Sequence, residues 1–364
     1  MATTKGEQGV LRRRLKIALA IAGVTLAPAL VMVVITRLGT GEIQGAATWA
    51  SLPAIASIAA AAGGGRRFAI IVSFAMCLMA PLAIVAGTSP VSGAALMALL
   101  ALVVGRMSRV GLQKSALMVP VMIAWPLIDP PAWAGQAVVD RNDTAYLLWM
   151  AVIFLVGGLI PAVIVPLLLR KRHLPEPTPH SREEAMPYTI MITVLLIVST
   201  YWVLDHPQQF AGAFLIAAIL VLAPIGKAQT LRPTLLRVAG TILGSVFVLG
   251  IVSGVSSLAV VYLVGLVFIV ISLMARFGTH GWIYYVFMTP AAACLNATSL
   301  TEVGKLGEQR IIDNAVGGAL IILASLLAVG YSHWSTRHGH ADNGDEETDR
   351  LLETPLGAPA PAAA

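Results

Sequence analysis

The chain has 364 residues, 57% of them hydrophobic and only 12% charged, with a net charge of +6 and a mean hydropathy of +0.84. A soluble domain carries about 25% charged residues, so half that, confined between long apolar runs, excludes a soluble globular protein and describes an all-α polytopic membrane protein. The basic excess does not point to nucleic acid, because it marks one membrane side. The two cysteines, Cys77 and Cys294, lie inside apolar runs and imply neither a disulfide framework nor a metal site.

Residues 1–16 carry Lys5, Arg12, Arg13, Arg14 and Lys16 ahead of an apolar run over 17–36. That run has the length of a transmembrane helix, whereas a signal-peptide core has about 7–15 residues. Five more runs complete the first half, at 46–62, 68–86, 91–105, 115–128 and 146–169. A linker rich in proline and charge follows at 171–187. The second half has runs at 188–204, 210–225, 236–253, 256–275, 281–298 and 311–332. The tail from 335 is polar, then acidic, then rich in Ala and Pro, a composition that cannot bury a core.

With the N-terminus inside, 20 of the 24 basic residues fall on cytoplasmic segments. Outside lie only Arg37, Arg141, Lys305 and Arg310. This asymmetry predicts twelve spans with both termini cytoplasmic. The domains are then a membrane half over 1–170, the linker, a second half over 188–334 and a disordered cytoplasmic tail over 335–364.

The halves look alike. Gly87-Thr-Ser and Gly254-Val-Ser each open a fourth helix, and Arg109-Val-Gly111 and Arg276-Phe-Gly278 each close one. The fifth helices contain Pro120 and Pro126 in one half and Pro290 in the other. An even number of helices per half predicts two parallel six-helix repeats about an axis along the membrane normal.

Candidate functional residues cluster in the second half. Arg237, Gly240, Thr241 and Gly244 are spaced i, i+3, i+4, i+7 and share one helix face. Gly240 and Gly244 form a small-xxx-small packing surface, and Thr241 can hydrogen-bond across it. Arg237 is placed at the cytoplasmic membrane edge, either as a topogenic residue or, with Lys227, Arg232 and Arg276, as part of an anion-attracting mouth. Pro290 frees carbonyls near Val286 and Phe287. Thr289 could add a hydroxyl there, and Tyr284, Tyr285 and Phe287 could line a slot for a flat substrate; a plain kink with an aromatic belt reads equally well. Arg310 and Asp313 are i, i+3 and can pair, about one turn inside the outer helix end. Asp313 is then either a proton carrier or a carboxylate stabilising a helix N-terminus. His338 and His340 in the tail give no metal site. No nucleophile elbow, phosphate loop, zinc-protease motif or dinucleotide fingerprint occurs, so neither an enzyme nor a cofactor is predicted.

Three motifs in order, Arg237-x-x-Gly240-Thr241-x-x-Gly244, Phe287-Met-Thr-Pro290 and Arg310-x-x-Asp313-x-x-x-Gly317, resemble the fusaric acid resistance (FUSC) family of bacterial inner-membrane proteins, which includes the aromatic acid exporters. Their spacing is similar to that family's integral membrane bound transporter domain, over about 210–330. The resemblance implies proton-driven efflux of small organic anions or aromatic carboxylic acids, in some members with a periplasmic adaptor. The chain departs from the pattern at Gly65-Arg-Arg67-Phe in its first half and has only the short linker where many members carry a large soluble domain. A passive anion channel and a non-transporting membrane scaffold are the alternative readings. A homo-oligomer is compatible with the sequence, which does not set the oligomeric state.

The predicted topology makes a tag at residue 360 inaccessible to a membrane-impermeant reagent in intact cells; labelling there would require an odd number of spans.

Overall fold

The computed structural model describes residues 5–38, 46–132, 139–170, 177–207, 212–223, 231–276, 283–296 and 300–337. The tail beyond 337, with His338 and His340, lies outside the described residues, as do Lys227 and Gly278. The chain forms two units, Met1–Ile321 and Ile322–Ala364. The second holds the end of the last helix, and everything below concerns the first.

All regular structure among the described residues is helical: α1 (Lys5–Leu38), α2 (Ala46–Trp49), α3 (Ser51–Ala86), α4 (Pro90–Ser108), α5 (Gln113–Ala116), α6 (Met118–Ile128), α7 (Thr144–Leu169), α8 (Arg182–Asp205), α9 (Ala213–Leu222), α10 (Leu231–Gly254), α11 (Leu258–Arg276), α12 (Ile283–Asn296) and α13 (Leu300–Arg337). Four of them, α3, α4, α7 and α8, are long and apolar enough to cross a membrane. Large apolar side chains point outward along them, among them Leu78, Val91, Leu148 and Ile190. Exposed faces of that kind are what lipid covers and water does not tolerate.

The 36 residues of α3 are two helices, not one. Gly65 has φ 73° and ψ −172°, a backbone region open essentially to glycine alone. Ser57 and Ser73, eight residues to either side, approach to 3.3 Å between hydroxyl oxygens. In a continuous helix, sixteen residues would separate them by about 24 Å. The chain therefore doubles back at Gly65, with arms at 51–64 and 66–86 and Arg66 and Arg67 exposed at the tip. Among the described residues, each of the twelve apolar runs read from the sequence is built around helix: the run 46–62 covers α2 and the first arm of α3, the run 115–128 covers α5 and α6, and each of the others has a single helix or arm.

Local chemistry sets several helix ends. Ser181 caps α8 by accepting the Glu184 N–H. Asp143 caps α7 by accepting the Ala145 N–H at 2.9 Å. Arg141 reaches back from the preceding loop and donates to the carbonyls of Ile84, Leu127 and Ile128. Those are orphan acceptors at the ends of α3 and α6. Gly87 must lack a side chain there, because a Cβ would strike the Leu127 carbonyl and the Arg141 guanidinium.

Two apolar cores result. The larger runs from α1 to α9 and takes in Ile321 of α13, centred on Met76 and Ile84 of α3, Ile123 and Leu127 of α6, Met150, Ile153 and Phe154 of α7, and Ile192 and Leu196 of α8. The smaller joins α10 to α13 through Val248, Val261, Ala293, Cys294 and Val303. The halves share particular features. The helices α4 and α11 each have 19 residues, and each is followed by a short apolar helix with an interior proline, Pro126 or Pro290. On α7, Gly157 of Val156-Gly-Gly158 packs against Ala50 and Pro53 at the start of α3; on α13, Gly317 of Val316-Gly-Gly318 packs against Leu215 and Ala218 of α9.

A side chain at Gly65 meets no neighbour but cannot take its backbone conformation. Gly65→Ala therefore lowers stability by about 1–3 kcal/mol, read as the thermal midpoint of the purified protein. Gly23→Ala, on α1 with open space around it, serves as the neutral control.

Candidate functional site

The site forms where α10, α12 and α13 meet α9. Its geometry starts from Gly244. A Cβ at this position would sit 2.5 Å from the Val286 carbonyl oxygen, 2.7 Å from Thr289 Cβ and 3.1 Å from Pro290 Cδ. Pro290 cannot donate to the carbonyl four residues back, which is Val286. The bare face of α10 thus lies against the carbonyl that Pro290 releases. Gly240 and Thr241, on the same face, are buried. This contact fixes the height of α12 along α10, and Arg237 comes to lie over the Tyr285 ring, 5.1 Å from its centroid.

From the other side comes α13, antiparallel to α10. Arg237 Nε donates to Asn314 Oδ1 at 3.4 Å, and Ser245 Oγ donates to the Gly307 carbonyl at 2.9 Å. Asn314 is itself held by donating from Nδ2 to the Arg310 carbonyl. Arg310 turns its guanidinium onto Phe214 of α9, 4.0 Å from the ring centroid. Phe214 stands edge-on to Trp125 of α6 at 4.7 Å. Arg310 also lies within electrostatic range of Arg237, Tyr284 and Asp313. Asp313 is 1% exposed, and neither carboxylate oxygen has a hydrogen-bond partner among the described residues.

Three expectations are corrected. Arg310 and Asp313 form no ion pair, because the arginine spends its cation on the Phe214 face. Asp313 does not stabilise a helix start. The helix α13 begins at Leu300, so Asp313 is its fourteenth residue, about 20 Å along. Arg237 and the Arg310–Asp313 pair were placed at opposite membrane edges, yet Arg237 touches the residue next to Asp313. Charge counting took the polar stretch 300–310 for an outer loop, whereas it is helix and carries Arg310 and Asp313 inward.

Other expected residues are distributed as follows. Tyr284 packs edge-on to Tyr285, the ring beneath Arg237. Thr289 is buried and gives its hydroxyl to the Tyr285 carbonyl, so that proton is already committed. Phe287 stacks with Phe268 and Phe247 at 5.7 and 6.3 Å, in a separate aromatic cluster. Arg276 is the last residue of α11, and its side chain lies outside the described ones. Sequence reasoning missed Asn314 and Phe214. Asn314 stands at i+4 from Arg310, which could have marked it; Phe214, in the wholly apolar α9, gave no signal.

Superposing α7 and α13 on their Val-Gly-Gly triplets sets Met150 opposite Arg310, Ile153 opposite Asp313 and Phe154 opposite Asn314. All three first-half residues are fully buried core. Apolar side chains thus fill the equivalent helix face, and packing alone does not call for the polar set on α13.

Gly244→Ala forces α10 away from a backbone carbonyl that has nowhere to retreat, at about 1–3 kcal/mol. Gly250→Ala, on the same helix with nothing within 4 Å, costs nothing or stabilises slightly. Thermal unfolding of the two variants in detergent, side by side with the parent protein, measures the difference.

Comparison with known proteins gives one match and two blanks. No curated protein and no solved structure matches the chain. The family model described as fusaric acid resistance protein-like matches residues 194–324, which hold α9 to α12, the second half of α8 and the site-bearing part of α13. The match supports a role in transport, and together with the long apolar helices it makes the chain a multi-pass membrane protein. Over residues 194–324 the chain is similar to the fusaric acid resistance protein-like family.

Proposed function

We propose that this protein is a bacterial inner-membrane exporter of small organic anions, aromatic carboxylic acids among them, driven by the proton gradient. In this reading the twelve apolar runs are twelve spans with both termini cytoplasmic, arranged as two parallel six-helix repeats, of which the second carries the site. The observation that carries the proposal is Asp313: a carboxyl group 1% exposed, without a hydrogen bond among the described residues, within electrostatic range of Arg310 and next in sequence to Asn314, which Arg237 holds, all in the family-matched segment.

An unpartnered ion in a protein interior costs several kcal/mol. Asp313 must therefore acquire either a proton or a cationic or hydrogen-bonding partner during its working life. Arg237, Arg310 and Asp313, counted in their ionised forms, sum to one positive charge, and a monoanion brings the cluster to neutrality. Guanidinium groups match a carboxylate in geometry as well as charge. The rings of Tyr285 and Phe214, each already bearing an arginine, offer flat faces to an aromatic body. Every proton gained or lost at Asp313 changes the cluster's charge by one, and with it the affinity for an anion, which is the coupling a proton-driven transporter needs. Thr241 and Thr289 belong to the packing beneath the site rather than to its lining.

The runner-up is a passive anion channel, which the two arginines alone would support. Asp313→Asn separates the two. In a coupled exporter this variant reaches the membrane and still binds substrate, but uphill export in vesicles falls to the uncoupled background. In a channel, flux down the anion gradient continues at near the parent rate in both proteins. A scaffold role would leave the efflux of every tested anion unchanged when the gene is deleted.

A further inference from the structure

The geometry points to a binding site for the phosphate headgroup of an anionic phospholipid between α4 and α8, away from the Arg237, Pro290 and Arg310–Asp313 motifs. These two helices run antiparallel and touch most closely at Gly105, where a Cβ would collide with the Thr189 side chain. Thr189 is fixed by donating its hydroxyl to the Ala185 carbonyl. Beside this contact, at the surface, the two helices leave a groove of about 200 Å³. Arg106 and Arg109 line it from α4, and Leu102, Met186 and Ile190 complete its wall.

Three observations identify the occupant. Arg106 and Arg109 lie one turn apart, both are exposed, and neither makes a hydrogen bond or ion pair with a described residue. Two guanidinium groups on one rim are a receptor for a phosphodiester, which takes paired N–H donors. The acidic residues of the adjoining turn do not compete, since Glu183 and Glu184 do not line the groove and Glu184 is held by His180 at 3.1 Å. Below the arginines the wall turns apolar: Leu102 is 52%, Met186 55% and Ile190 54% exposed. Leu102 stands four and seven residues before the two arginines, about 6 and 10 Å deeper along α4. Charge above and open hydrocarbon below reproduces the profile of a phospholipid, with the headgroup between the cations and the acyl chain along Leu102 and Ile190. Basic pockets between helices at a cytoplasmic membrane face bind such headgroups. The positive-inside rule accounts for arginines at this level, but not for a groove between them and α8.

The test uses the purified full-length protein in an uncharged detergent, with phosphatidylglycerol, phosphatidylcholine or inorganic phosphate added. Binding is read by native mass spectrometry and by the thermal midpoint. Phosphatidylglycerol should give a retained adduct and a raised midpoint, and phosphatidylcholine neither. The double variant Arg106→Gln/Arg109→Gln should bind phosphatidylglycerol about thirtyfold more weakly, from about fivefold per arginine. Arg106→Lys/Arg109→Lys keeps the topogenic charge and should fall between, which retains a readout should the glutamine pair fail to insert. Equal retention of the two lipids, or undiminished phosphatidylglycerol binding by either double variant, overturns the proposal. An equal midpoint shift from inorganic phosphate alone also overturns it, and assigns the arginines to a free anion.

Discussion

The second half of this protein is organised by the absence of one methyl group. Because Gly244 has no side chain, α10 lies directly against the carbonyl that Pro290 leaves free on α12. Glycine on one helix and proline on the other are complementary here. Proline releases an acceptor and bends the helix, and glycine admits the backbone that results. The height at which the helices meet decides what lies one and two turns away. Tyr285 comes beneath Arg237, and Thr289 is turned back onto its own helix. From Arg237 the chain of contacts passes through Asn314 to α13, and from Arg310 to Phe214 and on to Trp125. A polar cluster inside an apolar bundle is thus positioned by apolar contacts, with hydrogen bonds refining what van der Waals approach has set.

The helix faces that the two Val-Gly-Gly triplets bring into register on α7 and α13 differ in polarity. On α7 the face carries Met150, Ile153 and Phe154, all packed into the larger core. On α13 it carries Arg310, Asp313 and Asn314. Ser245 and Thr241, also buried, add to the polar character around α10. The first half has polar groups at its helix ends instead: Arg141 closes α3 and α6, Asp143 caps α7, and Tyr146 donates its phenol to the Pro131 carbonyl at 2.6 Å. One half spends polarity on holding its shape, and the other places it where it gains no packing.

Much of this was legible in the sequence, for definable reasons. Apolar runs of membrane length identify helices, and among the described residues every one of the twelve is built around helix. Gly244 and Pro290 could be chosen because small residues and prolines carry specific backbone consequences. Depth was not legible. The positive-inside rule reads loops, and it assigns an arginine to a membrane edge whether or not the helix continues past it. Glu302, Lys305 and Glu308 made 300–310 look like loop, yet they alternate with Val303 and Gly307, which are buried on one face. That spacing is helical, and it would have carried Arg310 and Asp313 inward. Cation–π partners such as Phe214 leave no trace in sequence, because an aromatic residue in an apolar helix reads the same whether it faces lipid, core or an arginine.

The hairpin at Gly65 has a consequence for how this part of the chain moves. Ala50 keeps helical φ/ψ and joins α2 to the first arm, so helix runs from Ala46 to the turn and again from Arg66 to Ala86. No loop separates the two. The hydroxyls of Ser57 and Ser73 face each other across the turn, so each shelters the other. The pair is therefore one mechanical unit, and a displacement of either arm carries the other with it.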